Sequence, residues 1–302
     1  MVAPERCAEL DTLVQTYHPE FFEAVDRRQF RLEANPIGII LYSSRTLLQV
    51  WLLGWVMWKE MYCWSTFIWE LSKGQGPFLL TEFSGIPDQD ESYANADALH
   101  ACAMKFADSD PIDWTLWPSD VPRPCGIAQQ ENEDWLIKDL VQHAIAFFLL
   151  HEFRHLMLYQ ERRKFSDRHG EESECDRWAI DYVLARSDEY AQTSGEDPIK
   201  VRSKRAMGVA LGTAVMAHVQ KGLWEPGTNH PPIAERMGLF ASIVDLPGND
   251  FFWNVACTFL LASLRRQEKL PNEVVFRDQR DLFTKLLRPE LRAPSRHHES
   301  ID

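Results

Sequence analysis

The stretch His151-Glu152-Phe153-Arg154-His155 constrains this chain more than any other. Residues four apart share one face of a helix, so both imidazoles point the same way one turn apart. The run Ala144-Ile-Ala-Phe-Phe-Leu-Leu150 leads straight into them and predicts that this helix heads into the core. Two imidazoles and a carboxylate buried there without partners would cost several kcal/mol, a cost that a bound metal ion removes.

Zinc is the ion that suits this donor set, taking neutral imidazole nitrogens and carboxylate oxygens in tetrahedral geometry. His151 and His155 are the first two ligands. Glu152 is rotated by about 100° from His151 and flanks the open coordination position, where it can take a proton from water. The third ligand is sought in Glu171-Glu-Ser-Glu-Cys-Asp-Arg-Trp-Ala179. Glu172 shares a face with Asp176, Ala179, Ile180 and Val183, whereas Glu171 and Glu174 have Cys175 and Trp178 one turn on. A ligand carboxylate followed one turn later by an acid that orients a histidine ring is a sound arrangement. Glu172 is therefore the expected ligand and Asp176 the expected orienter, with Glu171 and Glu174 as the alternatives. A purely structural zinc site would need a fourth protein ligand, and three are supplied.

His-Glu-x-x-His is the pattern of a zinc peptidase helix. Together with Glu-x-x-Cys-Asp-x-x-Ala it resembles the glutamate-zincins, especially the HtpX-like and CAAX prenyl proteases, whose second motif reads Glu-x-x-Ala-Asp. Cys175 stands where that branch has Ala. The branch also has a later His-Pro segment with a downstream Arg, and this chain has Asn229-His-Pro-Pro-Ile-Ala-Glu-Arg236. The resemblance makes His230 and Arg236 candidates to stabilise the oxyanion. Those relatives are embedded in membranes, and no convincing spanning helix is found here. The whole-chain layout instead resembles the soluble phage-exclusion protease family typified by Lit: a length near 300 residues, Asn35-Pro36-Ile37-Gly38 before a Trp-rich helix, and a central His-Glu-x-x-His. That resemblance implies a protease that cleaves translation elongation factor Tu when a phage-derived activator peptide is bound.

Composition narrows the partners. A formal net charge of -13 argues against nucleic acid or an anionic membrane surface. Six scattered cysteines without a Cys-x-x-Cys pair read as reduced thiols, and the first residues show no apolar signal core, so a cytoplasmic protein is expected.

Along the chain, residues 7–27 read as a helix, 29–33 and 38–42 as two short strands around a turn, and 77–83 as a third strand. Leu47 to Leu71 reads as a buried Trp-rich helix, with a peripheral membrane contact through Trp51, Trp55, Trp58, Tyr62 and Trp69 as the less favoured reading. Residues 84–132 are loop-rich, with a short helix around 93–106. Helices are expected at 135–162, 171–190, 198–221, 231–244, 251–266 and 276–287. The expected architecture is α+β, mainly α and zincin-like: a single metallopeptidase domain over 1–290, with an α+β part (1–125), a helical zinc-binding part (126–290) and a disordered tail (291–302). Strand 37–42 or 78–83 is the expected edge for an extended substrate. The expected activity is zinc-dependent endoproteolysis, either in phage exclusion or as a regulatory or quality-control peptidase.

Overall fold

The computed structural model describes residues 2–24, 30–73, 76–83, 89–109, 111–124, 132–219, 223–225, 227, 230–271 and 273–288. The expected tail at 291–302 and parts of the loop-rich stretch lie outside the described residues. In chain order the elements are α1 (Cys7–Tyr17), β1 (Glu20–Glu23), β2 (Leu32–Ala34), β3 (Ile39–Tyr42), α2 (Ser44–Cys63), α3 (Ser65–Lys73), β4 (Phe78–Leu79), α4 (Gln89–Asp108) and α5 (Asn132–Gln160). They are followed by α6 (Arg168–Leu184), α7 (Ser187–Ser194), α8 (Pro198–Val219), α9 (Ile233–Ile243), α10 (Phe251–Arg266), β5 (Val275–Phe276) and α11 (Gln279–Leu286). The fold is α+β and mainly α, as expected.

The core is built around α5. Helices α2 and α8 pack along it, and α10 packs on both α2 and α8. The approach of α8 is close because two of its positions carry no side chain. A Cβ on Gly208 would lie 2.2 Å from the His143 Cβ, and one on Gly212 would lie 3.1 Å from the Phe147 ring. This contact backs the half of α5 that leads into His151, which keeps the motif on a rigid support.

A small sheet lies over the second half of α5. Its order is β1-β3-β2, with β3 parallel to β1 and antiparallel to β2. Ile40 of β3 packs with Phe153, Leu156 and Met157 of α5 in one apolar cluster. The turn between β2 and β3 is the Asn35-Pro36-Ile37-Gly38 segment. The Asn35 side-chain oxygen accepts the backbone N–H groups of Ile37 and Ile39, and Gly38 adopts φ +96°, where a Cβ would be strained.

Several expectations are corrected. The first helix stops at Tyr17 instead of running to 27: His18 turns to φ 46°, Pro19 follows, and residues 20–23 form a strand. The 47–71 stretch is two helices, α2 and α3. Trp51 and Trp55 are buried as a core helix requires, but Tyr62 is 52% and Trp69 60% exposed. The third strand shrinks to Phe78–Leu79 and pairs with β5, which takes Phe276 from the start of the last expected helix, now Gln279–Leu286. The helix expected over 171–190 is two, α6 and α7. The helix around 93–106 is longer, Gln89–Asp108, and packs on α2. Among the described residues no helix is long and apolar enough to cross a membrane.

Candidate active site

Helix α5 presents His151 and His155 on the face turned towards α6, and the two Nε2 atoms lie 3.2 Å apart. Helix α6 starts at Arg168 behind an Asp167 cap, whose side chain accepts the Gly170 N–H at 2.8 Å. That start brings Glu172, fully buried, opposite the histidines. One Glu172 oxygen faces His151 Nε2 and the other faces His155 Nε2, each at 3.3 Å. Both oxygens are buried and make no hydrogen bond. His151, His155 and Glu172 form the group among the described residues whose ligand atoms converge closely enough to hold a metal ion. Of the three competing glutamates, Glu172 joins the cluster. Glu174 instead accepts from Arg154 at 2.8 Å.

The outer nitrogens of both rings are taken. His151 Nδ1 lies 2.8 Å from Asp176 Oδ1, and His155 Nδ1 lies 2.7 Å from Glu171 Oε1. A carboxylate accepts, so each Nδ1 carries the proton and a neutral ring must turn its Nε2 lone pair inwards. Two lone pairs and a buried carboxylate then face one point, an electron-rich arrangement that a cation completes. The donor set therefore fits a metal ion. Sequence reasoning gave Asp176 as an orienter but missed Glu171 in the same role. The i+16 spacing from His155 depends on how the chain turns between α5 and α6, which no local pattern encodes.

Charge around the cluster follows from these contacts. Burial works against a charged His151, but the hydrogen bond and negative charge of Asp176, then Glu172, overcome it and raise the ring to about 9. Burial likewise opposes ionisation of Asp176, yet Arg236 and His151 hold its carboxyl down at about 2. For Glu172 burial pushes upwards while His151, His155 and His230 pull the carboxyl far below the carboxylate range. Glu152 goes the other way: burial raises it, against the opposing pull of His151 and His155.

The remaining expected residues divide. His230 is half-exposed and brings Nδ1 to 2.9 Å from a Glu172 oxygen, at the border of the cavity. Arg236 is buried and commits its Nε, at 2.6 Å, and one Nη to the two oxygens of Asp176. It stands behind the histidine orienter, with this guanidinium edge turned to Asp176 and not to the open space. Glu152 lines the cavity and accepts the backbone N–H of Ala34 at 2.6 Å. Arg168 was not anticipated. It donates to Glu171 at 2.7 Å and to the Tyr159 hydroxyl at 3.2 Å, and approaches Glu172 at 3.3 Å.

A cavity of about 360 Å³ opens over this cluster. Its roof is β2 and the segment before it, including Phe30, Arg31 and Leu32. Apolar side chains of Phe148, Met216 and Val219 line it beside the histidines. The sheet edge here is β2. Strand β3 is paired on both sides, so 37–42 cannot accept a substrate strand, and 78–79 is paired with β5 away from the cavity. The register puts Arg31 and Asn35 against β3, which leaves the backbone groups of Leu32 and Ala34 facing outwards.

The model of the Peptidase U49 family matches residues 40–256, a span that holds both histidines, Glu152, Glu172, Asp176, His230 and Arg236. The chain belongs to that family. Peptidase U49 is the family of the Lit protease, so a Lit-like peptidase is what the match supports. No curated protein matches the chain, and no solved structure does. For this U49 peptidase the match establishes a hydrolase of peptide bonds, and the His151-His155-Glu172 group gives it a place to hold a metal.

Proposed function

We propose that this U49 peptidase is a zinc-dependent endopeptidase with His151, His155 and Glu172 as the ligands. One observation carries the reading: both Glu172 oxygens are buried, make no hydrogen bond, and face two Nε2 atoms whose rings are pinned by Asp176 and Glu171. Zinc held by these three residues would supply Lewis-acid chemistry and bring the deprotonation of water towards neutral pH.

The protein's own groups then have distinct tasks. Glu152 lines the cavity beside His151, and its raised pKa suits a carboxylate that takes a proton from water and hands it to the leaving amine. An extended substrate pairs with the outward backbone groups of Leu32 and with the Ala34 carbonyl, the Ala34 N–H being held by Glu152, which sets the scissile carbonyl over the histidines. His230, half-exposed at the cavity border, donates to the oxyanion. Arg236 acts through Asp176, keeping that carboxylate charged and fixed against the His151 ring.

The reading is tested by metal analysis and by Glu152→Gln. Stoichiometric zinc with proteolysis abolished in the variant is the expected result. Protein that binds no zinc, or a variant that still cleaves, would sink the proposal.

For the substrate we infer, from the chain's resemblance to the Lit family alone, translation elongation factor Tu, with a phage-derived activator peptide and a role in phage exclusion in the cytoplasm. New N-termini are compared in cells making the wild type or Glu152→Gln. A single dominant cut in elongation factor Tu is expected, whereas many cuts across unrelated proteins would point to quality control.

A further inference from the structure

The face of α5 opposite the histidines is also open. Leu10 and Val14 of α1, Phe21 of β1, and Ala146, Leu149 and Phe153 of α5 line a cavity of about 350 Å³ with almost no polar wall. Among the described residues that line it the charged one is Arg6, which is already bonded to Glu9 and to the carbonyls of Asp181 and Tyr182. A second apolar hollow of about 290 Å³ continues past Phe21 and Leu149 to Tyr42 and Leu47. Together they make one apolar groove along the back of the candidate zinc helix. Phe21, which lines both hollows, is 53% exposed, and Phe22 on the other face of the strand is 48% exposed.

Strand β1 borders the groove and is the second edge of the sheet. Glu20 donates its N–H to the Gly38 carbonyl just before β3 and Ala24 to that of Tyr42 in β3, so the backbone of Phe21 and Glu23 faces away from it. Neither residue has a further backbone partner among the described residues. An unpaired edge with exposed aromatic residues is a surface that another chain completes. A compact apolar molecule would fill the hollow but leave those backbone groups to water, whereas an extended peptide fills the hollow and pairs with them as well. Glu20 and Glu23 are exposed on this edge, and no described cation pairs with either.

We propose that the outer edge of β1 and the groove behind α5 form a docking site for an extended peptide segment carrying bulky apolar side chains flanked by basic residues. The peptide adds to β1 through the backbone of Phe21 and Glu23, sets alternate apolar side chains into the groove, and places its basic ends at Glu20 and Glu23. The site is separate from the catalytic cavity, because the two lie on opposite faces of α5.

The test uses the full chain and fluorescent amidated peptides of the pattern Lys-Leu-Thr-Leu-Thr-Leu-Lys, with Ile and Phe versions in place of Leu. Binding is followed by anisotropy. Each is compared with a version in which Ser replaces the apolar residues, one with Glu in place of Lys, and one N-methylated at alternate amides. At least one apolar-basic peptide is expected to bind about tenfold or more tightly than its Ser and Glu counterparts, and N-methylation on the β1-facing amides is expected to abolish binding. Ala146→Trp, which fills the groove, is expected to weaken binding about tenfold or more. The surface double variant Glu20→Lys with Glu23→Lys does not depend on core packing and is expected to reverse the preference to the Glu-flanked peptide. Failure of every peptide to beat its Ser counterpart overturns the proposal. Binding indifferent to N-methylation does so too, because it marks a site for any apolar molecule. Competition by 1,10-phenanthroline or an active-site peptide would place the binding in the catalytic cavity, and self-association through β1 would assign the edge to a second copy; either result also overturns it.

Discussion

Oδ1 of Asp176 accepts from Nδ1 of His151 at 2.8 Å, and the same carboxylate is gripped from behind by Arg236. The ring is thereby held in the tautomer that offers Nε2 to a metal. Asp176→Asn keeps the size and one acceptor but removes the charge that faces both His151 and Arg236. Zinc affinity is expected to fall about 10–100-fold, the usual effect of removing a group that orients a metal-bound histidine. Competition against a chromophoric chelator measures it, and unchanged affinity would show that Asp176 is a bystander.

The same contacts predict how the metal-free protein responds to pH. His151 is raised to about 9, above its ordinary value of about 6.5. A raised folded-state pKa means the charged ring contributes stability that is full below pH 6.5 and is lost as pH rises through about 9. The apoprotein is therefore expected to become easier to unfold across that window. Metal must displace the same proton, so zinc affinity should rise over this range by roughly tenfold per pH unit. Urea titrations of chelated protein and chelator competition at several pH values check both trends, and flat profiles would show that His151 is already neutral.

His230 and Arg236 looked alike in the sequence but should respond differently to substitution. His230 is half-exposed, so His230→Ala is expected to keep zinc and fold while kcat falls about 10²–10³-fold, as when an oxyanion donor is removed. Arg236→Leu strands a buried Asp176 carboxylate, which should cost about 3–5 kcal/mol of stability and weaken zinc binding. The measurements are kcat, zinc content and thermal melting on both variants. An Arg236 variant that melts normally, keeps zinc and loses only kcat would restore it to a direct role in the reaction.

Where the chemistry lay on one helical face it was readable from spacing. His151 and His155 are four apart, and so are Glu172 and Asp176, and each pair is presented as the period requires. Contacts that depend on the chain folding back were not readable. Glu171 reaches His155 only because α6 docks on α5, and Ala34 reaches Glu152 across 118 residues. Glu60 is a charged residue within the apolar stretch of α2. It is fully buried because Arg265 and Arg266, 205 and 206 residues later, pair with it. The misplaced end of α1 had a legible cause: Leu13, Val14, Tyr17, Phe21 and Phe22 fit a helical period, but Pro19 falls inside it. The breaker outweighed the period.

The support behind the motif can be tested without touching the site. Gly208 and Gly238 are both helical glycines, but a Cβ on Gly208 would sit 2.2 Å from His143 Cβ and 3.1 Å from the Leu140 carbonyl, while one on Gly238 meets nothing within 4 Å. The first neighbours are a Cβ and a backbone oxygen on α5, which cannot swing aside, so α8 itself must move. Gly208→Ala is expected to cost about 1–3 kcal/mol, the usual cost of overpacking. Gly238→Ala is expected to gain about 0.5–1 kcal/mol, because Ala is the better helix former and nothing opposes it. Urea unfolding of the two variants compares them directly. Equal responses would mean that α8 does not lie against α5 as closely as the Gly208 contact requires, and the rigid backing inferred for His151 would fall with it.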